Sequence, residues 1–445
     1  MTDPMRVLAV DLGAGSVRVA AIDLGAAPAV EVLHRRPHSP VVDPGGALRW
    51  DWERIVAEVE TGLEIGIESD SVESIGIDGW GVDYGLIDDA GRVIADPYSY
   101  RDSRTDGWMA TAESIGLEHL YQITGIQLMG INTIFQLAAH DRTEMEQAAR
   151  VLLLPDLLVS MLTGFEGAER SNASTTGLLD ARSGQWSAEL IEAIGMSPQM
   201  LPGVAAAGQA VGKWRGIPVH LVGSHDTASA FVGVPGGREP GTVFVSTGSW
   251  VIVGIERTDA DTSPAAMAAN FSNESGALGG FRFLKNVVGF WMVEACRPIW
   301  GDPPIDVLID EATAVTAPVP RFDAADKRLV APDDMEAEIR AAAGLPAGVP
   351  RGVVVRSILE SIAYGVARVV GELEVITATE MTRLALVGGG ARTGLLADLL
   401  AESTGLPVLV GNPEATALGN GVVQGIALGH FDGRDGADQW LAAEV

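Results

Sequence analysis

RVLAVDLGAGSVRVAAID, residues 6–23, decides how the rest of the chain is read. An apolar run from Arg6 to Val10 ends in Asp11, a Gly/Ser turn follows, and a second apolar run fills Val17 to Ile22. Strand, tight turn, strand is the expectation. TVFVSTGSWVIVGIE, residues 242–256, repeats this arrangement directly after the Gly- and Pro-rich stretch PGGREPG at 235–241. One such unit at the start of each half suggests a duplicated two-domain plan, although any two hairpins share the pattern. The division falls between an N-terminal domain, 1–234, and a C-terminal domain, 235–445.

Working outward, Glu31 to Arg35 and Ser74 to Asp78 read as strands, as does Tyr84 to Asp88. Asp51 to Ile67 has helical spacing, with Asp51 as a candidate N-cap. From about Arg104 to Gly164 the pattern is mostly helical. His220 to Val222 is a strand, and Thr227 to Val232 opens a helix. Val353 to Val375 is a long amphipathic helix. LALVGGGARTGLLADLLAESTG then reads strand, Gly-rich turn, helix, with Gly405 as the stop. Val408 to Val410 is a strand and Ala415 to Leu428 a helix. Strands alternating with helices give the α/β class.

The bulk numbers exclude several functions. The 445 residues exceed one ordinary core. A formal charge of -29 repels nucleic-acid phosphate, so no nucleic-acid partner is expected. It repels nucleotides too, so a nucleotide needs local backbone N–H groups and a metal ion. The lone Cys296 sits in the apolar stretch FWMVEAC and reads as a core residue rather than a nucleophile. One cysteine allows no internal disulfide, which fits a reducing compartment. With no signal-peptide pattern and no membrane-length apolar run, the expectation is a cytoplasmic protein with no membrane partner.

Five motifs carry candidate chemistry. DLGAGS, Asp11 to Ser16, delivers a carboxylate and then open amides, which suits a magnesium-bound polyphosphate. It is neither a Walker A loop nor a dinucleotide fingerprint. STGSW, Ser246 to Trp250, offers a second turn of this kind. GSHDTASA, Gly223 to Ala230, puts Asp226 between a strand end and a helix start, where a carboxylate can take the proton of an attacking hydroxyl. Asp226 as a helix N-cap is the alternative. VGGGARTG, Val387 to Gly394, has three glycines that let a flat ligand approach the backbone. SIGIDGWGVDYGLID, Ser74 to Asp88, presents Trp80, Asp78 and Asp83 as one wall of a polar pocket or as a packed hairpin. Nearby, Arg101, Asp102 and Arg104 read as an ion-pair network.

These motifs, in this order, together with YQITGIQLMGINTIFQL, SNASTTGLLD and NFSNESGALGGFRFLKNVVGFW, resemble the FGGY carbohydrate kinases over nearly the whole chain. The resemblance implies a two-domain actin-like fold, that of sugar kinases and heat-shock ATPases, with an ATP cleft between two duplicated ribonuclease-H-like domains. It implies ATP and Mg2+ as cofactors, a small sugar as substrate, and a monomer or homodimer. The reaction it implies is phosphorylation of the 1-hydroxyl of L-rhamnulose or a close ketose such as L-fuculose or L-xylulose. A non-catalytic nucleotide or sugar sensor is the remaining alternative. By the family pattern Asp226 matches the base, with His225 and Thr227 beside it at the sugar. Gly13, Ala14, Gly15, Ser16, Val17 and Arg18 match the first phosphate loop, with Asp11 at the metal. Gly248 and Ser249 match a second ATP contact, and Gly389 or Gly390 an adenosine contact. Trp80, Gly81 and Asn286 match sugar contacts. Three positions depart from the pattern. The first loop reads GAGSVR for GASSGR, Gly79 stands where Thr is usual, and Glu294 stands where Gln is usual near ATP.

Overall fold

The protein is described from a computed structural model covering residues 5–69, 71–248, 250–324, 326–329, 332 and 334–444. Two compact units emerge. The first comprises Met1–Pro235, Glu256–Phe283 and Ala415–Val445, the second Gly236–Ile255 and Leu284–Glu414.

The first sheet holds β1 (Arg6–Gly13), β2 (Ser16–Asp23), β3 (Ala29–Pro37), β4 (Ser74–Gly79), β5 (Ala210–Trp214) and β6 (Ile217–His225). Their order is β5-β6-β4-β1-β2-β3. β1, β2 and β3 run antiparallel in series, while β4 lies parallel to β1 and β6 parallel to β4. The second sheet holds β7 (Thr242–Thr247), β8 (Trp250–Arg257), β9 (Ser272–Ser275), β10 (Phe281–Val288), β11 (Arg383–Gly388) and β12 (Val408–Val410), in the order β9-β10-β8-β7-β11-β12. Here again an antiparallel hairpin, β7–β8, is flanked by a parallel strand, β11, on its first-strand side. The same plan thus occurs twice, and the expected α/β class with a repeated mixed sheet is what the chain adopts.

The helices follow the apolar spacing. α1 (Trp52–Ser69) begins where Asp51 Oδ1 accepts from the Arg54 amide at 3.2 Å, the cap its sequence announced. α2 (Leu154–Thr163) carries Pro155 in its first turn, where no amide donor is lost, and stops at Gly164 in the left-handed region. α3 (Asp226–Val232) leaves β6 directly. α4 (Trp291–Cys296), α5 (Arg351–Thr377) and α6 (Gly394–Thr404) belong to the second unit, and α7 (Ala415–Ala427) to the first. The expected helical stretch up to Gly164 needs a correction. Arg150–Leu153 is a strand, antiparallel to Tyr84–Ile87. The run VLLLP satisfies either period, and pairing with a second buried strand decides it.

The two faces of the first sheet bury different partners. On one, Leu8, Val10, Ile75, Ile77 and Leu221 pack with Trp50, Ile55, Val59 and Leu63 around α1 and α2. On the other, Val7, Ala9, Ile22 and Val222 pack against Leu418, Val422 and Trp440 from the last thirty residues of the chain. Alternation along β1 assigns its residues to these two faces. No helix among the described residues is long and apolar enough to cross a membrane.

Candidate functional site

In the first unit, the C-terminal ends of three neighbouring parallel strands carry carboxylates, as expected where an open α/β sheet presents its ligand-facing edge. Asp11 on β1 lies beside Asp78 on β4 in register, and Asp226 follows β6. Asp11 is also the register partner of Arg18 on β2 and forms an ion pair with it. Asp78 is fully buried. Asn420 of α7 donates to its Oδ2 at 2.6 Å, whereas its Oδ1 is buried with no hydrogen-bond partner among the described residues. Burial, then the neighbouring Asp11 charge, pushes the Asp78 carboxyl well above the usual carboxylate range. Asn420 is itself steadied by Gln424, which donates to Asn420 Oδ1 at 2.7 Å and to the Leu8 carbonyl at 3.0 Å.

The turn between β1 and β2 is two residues, Ala14 and Gly15, closed by the Gly13–Ser16 pair. Nothing stands within 4 Å of the side-chain direction at Gly15, so the tip is open. Val17 points into the core and is buried.

Asp226 is the first residue of α3, and His225 occupies the cap position. The N-cap alternative for Asp226 is therefore not what forms. Its Oδ1 accepts from Thr227 Oγ1 at 3.1 Å and lies 3.5 Å from His225 Nε2. The preceding residue is anchored from below. Buried Glu169 accepts from the Ser224 amide at 2.9 Å and from its hydroxyl at 3.0 Å, and also binds the hydroxyl of Ser171. His225 Nδ1 faces Arg282 and Glu274, both buried. The helix start is held closely from behind, because the Gly419 side-chain direction in α7 meets the Ser229 carbonyl at 1.7 Å.

Gly81 lies against the same histidine. A methyl group there would be 3.3 Å from His225 Nε2 and 3.2 Å from Thr175 Oγ1. Trp80 is different. Its indole is only 5% exposed, tilts against Trp50 at 4.6 Å between centroids, and donates to Asp83 at 3.0 Å. Buried Asp83 also accepts from Trp50 Nε1, the Tyr100 amide and Gln136 Nε2. The indole face is thus packed away and the Gly81 backbone is what remains open beside His225. Asp102 and Arg104 form the expected polar network, 3.4 Å apart, with Arg104 also donating to Gln136 at 2.7 Å. Gly79 points into the core, where a side chain would meet Leu12 Cβ at 2.7 Å and the Leu12 carbonyl at 2.9 Å.

The second unit has its own glycine-lined turn. Thr247 at the end of β7 is register partner to Gly388 at the end of β11, and Thr247 Oγ1 donates to the Val387 carbonyl at 2.7 Å. Gly248 N donates to the Trp250 carbonyl at 2.9 Å, closing the hairpin. Ser249 lies outside the described residues. Gly388 has φ +84°, and Gly390 sits so close to Thr247 and Phe290 that a methyl group would come within 2.8 Å of both. Gly388 and Gly390 are thus glycines that close packing on Thr247 requires, and Gly389 between them is exposed. Phe290 precedes α4, and Glu294, one turn on, pairs with Arg297 at 2.7 Å. That pairing neutralises the anion at the position where the family pattern has Gln. Asn286 is half-buried on β10. Cys296 is fully buried, and burial pushes its thiol up to about 12, which agrees with a core role.

Sequence reasoning missed Glu169, Glu274, Arg282 and Asn420. Their only advance signal was a charged or amide group inside apolar or small-residue runs, as in FRFL and LGNG.

Comparisons with known proteins align with this geometry. The N-terminal domain of the FGGY family of carbohydrate kinases matches residues 6–233 and the family's C-terminal domain residues 243–428. A rhamnulokinase from Pectobacterium carotovorum is 37% identical over 442 residues, covering 95% of this chain and 88% of that protein. One from Halalkalibacterium halodurans is 34% identical, covering 96% and 94%. Among solved structures, a xylulose kinase from Lactobacillus acidophilus superposes with a TM-score of 0.79 at 15% identity, covering 98% of this chain and 92% of that one. Plasmodium falciparum glycerol kinase with ADP gives 0.78 at 16% identity over the same shares. At such identity these two structures speak to fold alone.

Proposed function

The chain belongs to the FGGY family of carbohydrate kinases, and from that premise we propose that it transfers the γ-phosphoryl group of ATP to the 1-hydroxyl of L-rhamnulose or a close ketose, with Asp226 as general base. The hydroxyl oxygen forms a bond to the γ-phosphorus while the bond from that phosphorus to the β,γ-bridging oxygen breaks. ADP leaves, and the hydroxyl proton passes to the Asp226 carboxylate. The rest is positioning and electrostatics. Open amides at the Ala14–Gly15 tip of the turn and the Arg18 guanidinium receive phosphate oxygens. The Gly248 turn and the Gly389–Gly390 turn, exposed at Gly389, receive the nucleotide. In the first unit, Gly81, His225 and Thr227 contact the sugar.

Magnesium fits the first unit in one particular way. Among the described residues no group of three or more His, Cys, Asp or Glu could cage a metal ion. Asp11 and Asp78 nevertheless stand side by side, with Asp78 Oδ1 buried and unpartnered. Such a pair suits a cation that keeps its waters and shares itself with phosphate oxygens. When bound, it would supply charge neutralisation of the polyphosphate. Of the two residues, Asp11 would face its waters.

The observation that carries the substrate is 37% identity across 95% of the chain to a protein named rhamnulokinase. The test is ADP release with magnesium-ATP across L-rhamnulose, L-fuculose, L-xylulose, L-ribulose, D-xylulose, D-fructose and glycerol. Strongest stimulation by L-rhamnulose is expected, and a clear preference for another member would move the substrate. Asp226→Asn should bind ATP but lose turnover by about 10²-fold or more. Wild-type turnover in that variant would remove Asp226 from the base role.

A further inference from the structure

We infer that Glu274 and Arg282 are positioning residues for phosphoryl transfer. They hold His225 as the tautomer with hydrogen on Nε2, directed at Asp226 Oδ1, so that Asp226 Oδ2 is reserved for the substrate proton. This rests on the reading of Asp226 as the base.

The argument begins with what an arginine can do. Arg282 sits on β10 with its side chain 1% exposed, and its Nη2 is 3.2 Å from His225 Nδ1 in hydrogen-bonding alignment. Glu274 Oε2 also lies 3.2 Å from this nitrogen but out of hydrogen-bond alignment, so the guanidinium, which only donates, sets the roles: Nδ1 accepts and the ring hydrogen resides on Nε2. That nitrogen lies 3.5 Å from Asp226 Oδ1, an oxygen that already accepts from Thr227 Oγ1 at 3.1 Å. Thr227 thus holds this oxygen by a hydrogen bond and the Nε2 hydrogen faces it from beyond hydrogen-bond contact, which leaves Oδ2 as the base.

A buried guanidinium needs a counter-charge. Glu274 on β9 supplies it, with Oε2 3.0 Å from Arg282 Nη2 and 3.2 Å from His225 Nδ1. Burial pushes Glu274 up, but the Arg282 guanidinium outweighs it and holds the carboxyl below its ordinary value. Arg282 is further fixed by donating from Nε to the Ser275 carbonyl at 3.2 Å. The other charges that reach it are Glu169, Asp226 and Glu256. The result is a buried relay, Glu274–Arg282–His225–Asp226, assembled from segments fifty residues apart.

The test is a double-mutant cycle read as kcat and KM separately. Glu274→Gln should lower kcat roughly tenfold while the sugar KM stays within about twofold. In a His225→Gln background, where the side-chain amide supplies the donor without a tautomer to fix, Glu274→Gln should cost no further kcat. Additive losses, or an unchanged kcat in folded Glu274→Gln, would overturn the inference. Because Glu274→Gln strands a buried charge and can fail to fold, a second measurement uses the unmutated protein. 15N-histidine NMR, with the His225 signals assigned by their loss in His225→Gln, should give hydrogen on Nε2 and an unprotonated Nδ1. Hydrogen on Nδ1 would overturn it. Asp226→Asn is measured in parallel. If that variant is inactive while the cycle is additive, only the relay fails. If it is active, the base assignment itself falls.

Discussion

Replacing Gly419 by alanine is expected to damage both stability and turnover, although it adds one methyl group in a helix where alanine is intrinsically preferred. The site is the crossing of α7 over α3, and the new Cβ would stand 1.7 Å from the Ser229 carbonyl oxygen and 2.8 Å from the Gly233 amide. Both obstacles are backbone, so no rotamer change relieves them. Opening 1.7 Å to the 3.0 Å that real contacts tolerate needs about 1.3 Å of separation between the helices. Overpacking of this kind costs about 3 kcal/mol, against a helix-propensity gain of about 1 kcal/mol. The net is roughly 2 kcal/mol, or a fall in melting temperature of about 2 to 4 °C for a unit of this size. Asp226 opens the displaced helix, and misplacing a reacting group by about 1 Å can cost 10²-fold in rate. The assay is a thermal melt alongside ADP release at saturating substrates. Gly371→Ala, at an exposed position of α5 with nothing within 4 Å, is the control and should stabilise slightly. A Gly419→Ala protein with wild-type melting temperature and kcat would refute this account of the helix crossing.

Gly79→Thr should destabilise by about 1–3 kcal/mol in denaturant unfolding, since its side chain must enter space held by Leu12 and Pro155. Wild-type stability would show that the strand has room the geometry denies. Glu274, whose folded value is depressed, contributes stability that is present above its unfolded value and lost as pH falls through the folded one. The stability gap between wild type and Glu274→Gln should therefore be constant near neutrality and narrow on acidification below about pH 4. A gap that widens there would reverse the sign. Cys296 should resist a thiol reagent in the native state at pH 7 and react fully after unfolding. Prompt native labelling would contradict its burial.

Much of the fold was legible because it is local. The two hairpins, the Asp51 cap, the glycine stop at Gly405 and the long helix to Thr377 all announce themselves by period or by a special residue. Arg150–Leu153 was not legible as a strand, because four apolar residues before a proline fit a buried strand or a helix equally well. The candidate site was legible at its tips, Asp11, the Gly13–Ser16 turn and Asp226, where a polar group ends an apolar run. Its supports were not. Asn420 reaches Asp78 across 342 residues, and Arg282 meets His225 across 57, so no window of sequence contains either pair. For Trp80 the sequence left a pocket wall and a packed hairpin open, and what buries the indole, Trp50 thirty residues earlier and the carboxylate of Asp83, is a tertiary contact that the Gly-Trp-Gly pattern does not announce.

The last helices have a consequence for biosynthesis. One face of the first sheet is covered by Leu418, Val422, Val423 and Trp440, so strands completed by residue 225 wait for some two hundred more before that face closes. At ribosomal speeds of about 5–20 residues per second, the wait lasts roughly 10–40 seconds. During it Val7, Ala9, Ile22 and Val222 present an uncovered apolar surface on the nascent chain, a natural place for a ribosome-associated chaperone to hold. A premature stop before Ala415 would release a polypeptide that keeps every strand of both sheets, and the Asp11, Asp78 and Asp226 carboxylates, but could never seal its first core.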